Sequence, residues 1–290
     1  MNTTKRARLF LTLSMVCFGT LAPFVRNISV SSGELALYRA VLAALLIGGS
    51  LLITKQKAVF SSLGKELYLL IISGVAMGFN WILLFEAYKY TTVAIATLSY
   101  YFAPVIVTII CPILFKEKMT KKQLLCFLMS TFGLFLVIGI TNPGSSGNDG
   151  IGIAFGLGAA VLYALVILLN KFIKGVTGIH RTFLQFLAAI AVLVPYVLFT
   201  SGINLRVLDF TGWSCLLIVG LVHTGIAYCL YFTSLKELSG QEAAILSYMD
   251  PLVAVIIGVL VLKEPLNWQQ LIGGLLILGF TLLNELDIER

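Results

Sequence analysis

The chain has 290 residues, of which 59% are hydrophobic and only 11% are charged. Soluble domains carry about 25% charged residues, so this composition excludes a soluble globular protein, whose water-facing surface needs more polar side chains. The formal net charge of +7 comes from short basic clusters between apolar runs, which is typical of loops facing an anionic membrane and not of a nucleic-acid partner.

Ten apolar runs are long enough to cross a membrane, since a spanning helix needs about 20 residues. The runs are too long for strands and do not alternate, so the predicted fold is an all-α polytopic membrane protein. The first run follows Lys5-Arg6-Ala7-Arg8 but has no small-x-small cleavage site before Arg26, and we interpret it as an uncleaved first span. The predicted spans are 8–26, 33–53, 67–88, 92–115, 121–140, 151–172, 181–200, 211–232, 240–262 and 268–286.

The distribution of lysine and arginine predicts the orientation of these spans. With the N-terminus inside, fifteen basic residues fall in inner segments and four in outer segments, while Arg39 lies within a span. This bias favours both termini in the cytoplasm and a location in a bacterial cytoplasmic membrane. The inner residues are Lys5, Arg6, Arg8, Lys55, Lys57, Lys65, Lys116, Lys118, Lys121, Lys122, Lys171, Lys174, Arg181, Lys236 and Arg290, and the outer ones are Arg26, Lys89, Arg206 and Lys263.

One stretch of sequence occurs twice, and in both copies a proline interrupts a long apolar run. The first copy runs from Leu98 to Pro104 and the second from Leu246 to Pro251, and a Lys-Glu pair begins twelve residues after each proline. The two prolines are 147 residues apart (251 − 104), which is close to half the chain. The same offset relates Glu117 to Glu264, Gln123 to Gln270, Phe85 to Phe232, Leu124 to Leu271 and Trp81 to Tyr228.

The offset predicts two related five-span repeats, residues 1–143 and 151–290, joined by an extracytoplasmic connector at 144–150. Because five is odd, the second repeat enters the membrane from the opposite side, which makes the pair an inverted repeat. Inverted repeats are characteristic of secondary transporters, whose substrate site lies near the midplane between the halves. Alternating access then follows when the two halves exchange conformations.

Several segments carry a family resemblance that covers nearly the whole chain. They are Ala36-Leu37-Tyr38-Arg39, Leu84–Ala94, Pro104, Lys116-Glu117, Gln123 and Gly133 in the first half, and Tyr231–Lys236, Pro251, Lys263-Glu264-Pro265, Gln269-Gln270 and Gly273-Gly274 in the second. With these segments the chain resembles the drug/metabolite transporter (DMT) superfamily, specifically its ten-span branch of paired EamA-type repeats. The resemblance implies a transporter. Similar members export amino acids, other small metabolites or drugs, coupled to the proton gradient or running downhill.

Two ionisable residues near the membrane midplane are candidates for substrate binding or proton coupling. Asp250 lies about ten residues into span nine and His223 about nine residues before the end of span eight, so both are roughly 14–15 Å deep. Ionisable groups inside spans are costly and are functional candidates by default. A His223–Asp250 pair can relay protons or hold a zwitterion, although each residue can also be a hydrogen-bonded structural group. The offset of 147 matches them with Ala76 and Ala103, so the pair exists in only one half.

Arg39, about six residues into span two, is the main cationic candidate, able to bind a substrate carboxylate or to pair with a carboxylate of the protein. Glu86 lies near the outer end of span three, where an interfacial ion pair with Lys89 is expected. Glu117 and Glu264 are expected to be structural.

Small ligands are usually held in apolar pockets with a few polar groups. The residues that can line such a pocket, or simply pack between helices, are Asn80, Trp81, Tyr100, Tyr101, Tyr228 and Tyr248.

No catalytic, nucleotide-binding or metal-binding motif is visible, and the five cysteines form no Cys-x-x-Cys. We therefore predict neither an enzyme nor a metal or cofactor. The leading hypothesis is a secondary transporter in the lipid bilayer, a monomer or homodimer, that exports amino acids or related small metabolites, with protons as the candidate coupling ion. The alternative within the superfamily is an exporter of drugs or cationic compounds. An intramembrane enzyme or a channel is the alternative from a different class.

Overall fold

The computed structural model describes residues 3–25, 27–54, 64–90, 99–116, 119–138, 149–176, 178–261 and 268–286. The regular structure of these residues is entirely helical, which confirms the all-α prediction. Two further segments are a 3₁₀ turn, Leu205–Val207, and a π-helix, Val219–Ile226. The α-helices are α1 Thr3–Gly19, α2 Leu21–Val25, α3 Ser32–Ile53, α4 Gly64–Tyr90, α5 Ala103–Phe115, α6 Lys121–Ile138, α7 Asp149–Phe172, α8 Gly178–Thr200, α9 Phe210–Ile218, α10 Ala227–Leu235, α11 Gly240–Ser247, α12 Met249–Leu260 and α13 Trp268–Leu286.

Helices occur at all ten predicted spans, but among the described residues six segments are long and apolar enough to be clear membrane spans. Two shorter apolar helices, Ala103–Phe115 and Leu271–Phe280, lie in predicted spans four and ten, and spans five and nine are represented by α6 and α11–α12. The six clear spans are Thr3–Val25, Ser32–Ile53, Glu66–Ala87, Gly150–Phe172, Gly178–Thr200 and Phe210–Leu235.

Spans one, eight and nine are not the continuous α-helices that the sequence predicts. Proline explains two of the breaks, because it has no N–H for the carbonyl four residues earlier. Pro23 lies four residues after Gly19, where α1 ends, and Pro251 lies four residues after Ser247, where α11 ends. Span eight instead contains the π-helix Val219–Ile226 between α9 and α10.

The packing of the helices repeats when each span is exchanged for its counterpart five spans away. α4 of span three packs against α7 and α8 of spans six and seven. In the same way, span eight packs against spans one and two, with α10 on α1 and the π-helix on α3. The contact of α1 with α12 likewise corresponds to that of α7 with α5, and α6 packs against its own counterpart, α13. The two halves therefore interlock along most of their length.

Two basic residues that the sequence places at the inner ends of spans are buried in the helix bundle. Arg8 in α1 is 8% exposed, and Arg181 in the first turn of α8 is 0% exposed. Arg181 donates to the backbone carbonyls of Asn170 (3.2 Å) and Ile173 (2.5 Å) at the end of α7, where carbonyls lack intrahelical partners. When these two residues are left out, thirteen basic residues (15 − 2) remain in the predicted inner segments and four in the outer segments. The predicted excess of basic residues on the inner side therefore remains.

Gly74 and Gly78 allow α4 to lie directly on α8. A Cβ atom on Gly74 would overlap the carbonyl oxygen of Gln185, and one on Gly78 would lie 3.3 Å from the carbonyl oxygen of Ala189. The four-residue spacing of small residues is typical of close helix contacts in membranes. This contact holds α4, which carries two of the candidate site residues, against the second half of the chain.

Replacing Gly74 with alanine is expected to lower the free energy of unfolding by about 1–3 kcal/mol, because the added methyl group overpacks the α4–α8 contact. The measurement is the melting temperature of the purified protein in detergent. The matched control is Gly49→Ala in α3, where an added Cβ meets nothing within 4 Å. Equal melting temperatures for the two variants would contradict the close contact.

Candidate functional site

Arg39 is a charged residue buried in α3 at 5% exposure. Its Nε donates to the hydroxyl of Thr224 in the π-helix (2.9 Å), and its guanidinium carbon lies 4.9 Å from the centre of the Trp81 ring, a cation–π distance. Thr224 in turn donates to the carbonyl of Val219 (2.8 Å), which fixes its oxygen toward Arg39. In the described part of the chain no carboxylate pairs with Arg39, and no hydrogen bond reaches its two terminal nitrogens. A bidentate donor is therefore available to an anionic ligand.

Trp81 and Tyr228, which the 147-residue offset relates, contact each other. Trp81 Nε1 donates to the Tyr228 hydroxyl at 3.3 Å, and the ring centroids lie 5.9 Å apart at 80°. A contact between equivalent positions is what a two-fold relation between halves produces on its axis. The same offset carries Arg39 onto Phe186 (39 + 147), which packs on Tyr228 at 5.6 Å as Arg39 packs on Trp81.

Asp250, at the start of α12, is held mainly by tyrosines. Its carboxylate interacts with the hydroxyl group of Tyr101, and Tyr163 and Tyr228 are close enough to interact with it electrostatically. Among the described residues no basic side chain forms an ion pair with Asp250. Tyr228 is within electrostatic range of Arg39 as well. The structure thus brings both buried charges to the same tyrosine without pairing them with each other.

Four half-buried residues, Tyr100, Tyr163, Tyr228 and Asp250, surround a region that we infer to be an internal space and call the central cavity. Tyr163, Tyr228 and Asp250 lie in the interior of the helix bundle, Tyr100 stacks on Tyr163, and all four side chains keep accessible surface. Such a combination arises where helices enclose a space without filling it. The cavity therefore contains the predicted site residues Tyr100, Tyr228 and Asp250, and borders Arg39, Trp81 and Tyr101.

Aromatic rings form a continuous wall of the central cavity. Tyr100 stacks on Tyr163 (centroids 5.3 Å apart, 17° between planes), and the Tyr163 hydroxyl donates to that of Tyr231 (2.9 Å). Tyr231 meets Tyr228 edge-on at 6.3 Å, and Phe18 lies 5.0 Å from Tyr228. The wall runs from residues that neighbour Asp250 to residues that neighbour Arg39.

Three residues near the two charges were not predicted from the sequence: Tyr163, Tyr231 and Thr224. The position of Tyr163 in its span is a signal that could have identified it. Tyrosines in membrane helices are enriched at the membrane interfaces, so a tyrosine near the middle of a span is unusual. Tyr163 lies near the middle of its span, Gly150–Phe172, where an interfacial role does not apply. Thr224 gave no comparable signal, since its role depends on Arg39 reaching it from another helix.

His223 and Asp250 are not in direct contact. His223 Nε2 lies 3.0 Å from the Thr20 hydroxyl and its Nδ1 lies 3.4 Å from the carbonyl of Ile218. α1 packs against the π-helix and α12, and Gly19 abuts the backbone of Asp250 while Thr20 contacts His223. The two residues have similar depth on consecutive spans, but α1 contacts both, and the geometry does not support a direct relay between them.

The remaining predicted residues make contacts between helices. Asn80 Nδ2 donates to the carbonyl of Ala159 in α7 (2.6 Å), and the Tyr248 hydroxyl lies 2.7 Å from that of Thr131 in α6. Glu86 accepts from Lys89, the expected ion pair, and from the hydroxyl of Tyr196 at 3.0 Å. The predictions for Glu117 and Glu264 lie outside the described residues.

Asp250→Asn is expected to leave the melting temperature unchanged or to raise it. A buried charge satisfied mainly by hydroxyl groups costs stability, and asparagine keeps an oxygen that can accept from Tyr101. The comparison variant is Arg181→Met, which leaves the carbonyls of Asn170 and Ile173 without their donor and is expected to cost about 1–3 kcal/mol for each buried carbonyl. An equal loss of melting temperature in both variants would make Asp250 a structural residue.

Several known proteins are similar to this chain over most of its length. An uncharacterized transporter, YxxF, of Bacillus subtilis (strain 168) is 30% identical over 246 residues, which is 84% of this chain and 78% of that protein. An uncharacterized transporter of Archaeoglobus fulgidus is 29% identical over 274 residues, 93% of either chain. Protein PecM of Dickeya dadantii is 24% identical over 209 residues, 71% of this chain and 69% of PecM.

A protein of known crystal structure has the same fold, with a TM-score of 0.83 over 98% of this chain and 99% of that one at 17% sequence identity. The model of the EamA-like transporter family matches the sequence twice, at residues 5–139 and 150–285. These two matches cover both halves of the chain and confirm the resemblance seen in the sequence. The chain belongs to the EamA-like transporter family of the drug/metabolite transporter superfamily.

Proposed function

We propose that the protein is a secondary transporter that exports amino acids or related small metabolites. The observation that carries this proposal is the presence of two opposite charges inside the helix bundle, the buried Arg39 and the half-buried Asp250, that border one aromatic-walled region and do not pair with each other. Two unpaired buried charges are costly, and a ligand bearing both an anionic and a cationic group offsets that cost. A zwitterionic amino acid has both groups.

In this proposal Arg39 binds the substrate carboxylate and Asp250 binds its amine. The terminal nitrogens of Arg39 suit a carboxylate because a guanidinium offers two parallel donors. Asp250 is also the proposed proton-coupling residue, since a carboxylate that releases an amine can take up a proton in its place. Trp81, Tyr100 and Tyr228 lie between the two charges and contact the remainder of the substrate.

The mechanism we propose is alternating access by two inverted five-helix repeats, residues 1–143 and 151–290, across ten membrane spans. Support comes from the helix contacts, which map onto one another when each span is exchanged for its counterpart, and from the Trp81–Tyr228 contact on the inferred axis. Two halves with equivalent contacts can exchange conformations at little net cost, which moves the opening from one side to the other.

The proposed location is the bacterial cytoplasmic membrane with both termini inside, as the bias of basic residues favours. Export by a monomer or homodimer, driven by the proton gradient, belongs to the same proposal.

Export of cationic compounds is the second candidate function. The observation that favours it is the set of tyrosine faces around Asp250, because aromatic rings and a carboxylate together bind organic cations. This candidate gives Asp250 the same role but gives Arg39 none in binding. The two candidates therefore differ in whether the ligand needs a carboxylate.

Transport into proteoliposomes is expected to distinguish these candidates. We expect uptake of amino acids driven by an imposed gradient, competition by the decarboxylated amines to be at least about tenfold weaker, and both Arg39→Gln and Asp250→Asn to reduce transport at least about tenfold. In Arg39→Gln the advantage of the zwitterion over the amine should disappear, because the carboxylate has lost its partner.

Arg6→Gln provides the matched control. It removes the same positive charge as Arg39→Gln, but from an exposed arginine at the start of α1. Amines that compete as well as amino acids against the unaltered protein would favour the cationic-compound exporter. Chemical conversion of a lipid or peptide with no movement of any solute would favour an intramembrane enzyme, and ungated downhill flux of ions would favour a channel.

A further inference from the structure

A buried ion pair joins α1 to α11 outside the central cavity. Arg8 Nε donates to Glu242 Oε1, and both residues are buried, at 8% and 6% exposure. Arg8 Nη2 is also buried and has no hydrogen-bond partner. A buried ion pair whose donors are incompletely satisfied contributes little net stability, because desolvation offsets its attraction. Such a pair is suited to separating and re-forming.

Glu242 has an alternative partner within its own helix. In α3 the sequence Ser31-x-x-Glu34 forms a complete capping box, in which Glu34 accepts from the backbone N–H of Ser31 at 3.2 Å. In α11 the same pattern, Ser239-x-x-Glu242, is only half formed. The Ser239 hydroxyl accepts from the Glu242 N–H at 3.1 Å, but the carboxylate goes to Arg8. Glu242 can therefore release Arg8 and complete its own capping box.

The turn before α11 is a meeting point of four helices. Lys171 of α7 donates to the carbonyl of Leu238 at 3.3 Å, and its Nζ lies 5.0 Å from the ring of Phe115 at the end of α5. Gly240 packs so closely on Cys111 of α5 that an added Cβ would overlap the sulfur. These helices belong to spans one, four, six and nine, and together they close this end of the bundle.

The turn is connected to the central cavity by a single short helix. Glu242 precedes Asp250 by eight residues, and α11 ends at the break before Pro251. A shift of the first turn of α11 therefore moves the break at Tyr248, which is six residues from Glu242 and two residues from Asp250. Tyr248, whose hydroxyl meets Thr131 of α6, lies at the break and provides a fixed point for such a movement.

We propose that the Arg8–Glu242 pair is a gate: it holds this end of the central cavity closed, and the end opens when Glu242 exchanges Arg8 for the backbone N–H of Ser239. In the proposed orientation this is the cytoplasmic end, through which an exported substrate enters. The assignment as a gate rests on the proposed transport function, but the exchange of partners can be measured without any substrate.

The test is the rate at which a small maleimide alkylates Cys111, read by mass spectrometry on the full-length protein in membrane vesicles. Cys111 is 0% exposed beneath Gly240, and Cys126, also 0% exposed, lies in α6 in a different cluster. In Glu242→Gln and in Arg8→Gln we expect Cys111 to react on the order of fivefold faster or more, while Cys126 keeps its rate. Unfolding of a variant would accelerate both cysteines and is thereby recognised.

The matched controls are Glu237→Gln and Arg6→Gln, which remove the same charges from exposed positions on neighbouring turns. The double variant Arg8→Glu/Glu242→Arg re-creates the pair with reversed charges and is expected to return Cys111 to its original rate. The gate is refuted if Cys111 reacts equally in Glu242→Gln and Glu237→Gln, or if the reversed pair gives no protection. Because the alkylation test contains no solute, neither result bears on the identity of the substrate. A failure to transport amino acids would contradict the proposed substrate but not the exchange of partners at Glu242.

Discussion

The contact between Trp81 and Tyr228 is the interaction on which the rest of the structure depends. The two residues occupy equivalent positions in the two halves, and their hydrogen bond and edge-on rings bring α4 and α10 together at the centre of the bundle. Because Trp81 also packs against Phe186 and Tyr228 also packs against Phe18, each ring meets the other half a second time, and the same contacts build the wall of the central cavity. The scaffold and the site therefore share one set of side chains.

The chemistry of the site comes from departures from this symmetry. Arg39 faces Trp81 where the other half has Phe186 facing Tyr228, and Asp250 precedes a proline where the other half has Ala103. A charged side chain can replace a neutral one among packed aromatic rings only when other groups hydrogen-bond to it or otherwise stabilise its charge. The described residues supply hydroxyl groups and ring faces but no opposite charge. A bundle with two related halves thus holds an asymmetric pair of charges, which is the arrangement that the proposed zwitterionic substrate needs.

Proline and the π-helix place irregular backbone where the site needs it. Breaks inside a membrane are tolerated only where the freed carbonyl and N–H groups face protein or a cavity. The breaks at Thr20 and Tyr248 are both close to site residues, His223 and Asp250, and the π-helix carries Thr224. Short helices such as α11 can reorient without breaking a long series of backbone hydrogen bonds, which is the property that the proposed gate at Glu242 needs.

The sequence by itself determined the all-α membrane class, the position of most helices, the duplication and its 147-residue offset, because hydrophobic run length and internal similarity are local properties of the chain. It also singled out Arg39, Asp250, Trp81 and Tyr228 as unusual residues within apolar runs. Only the tertiary structure decided which of them meet. His223 and Asp250 have similar depths, yet contacts with α1 lie between them, and Arg39 takes Thr224, not a carboxylate, as its partner. Depth along a helix follows from counting residues, whereas the direction in which a side chain points and the helix it meets depend on how all the helices pack.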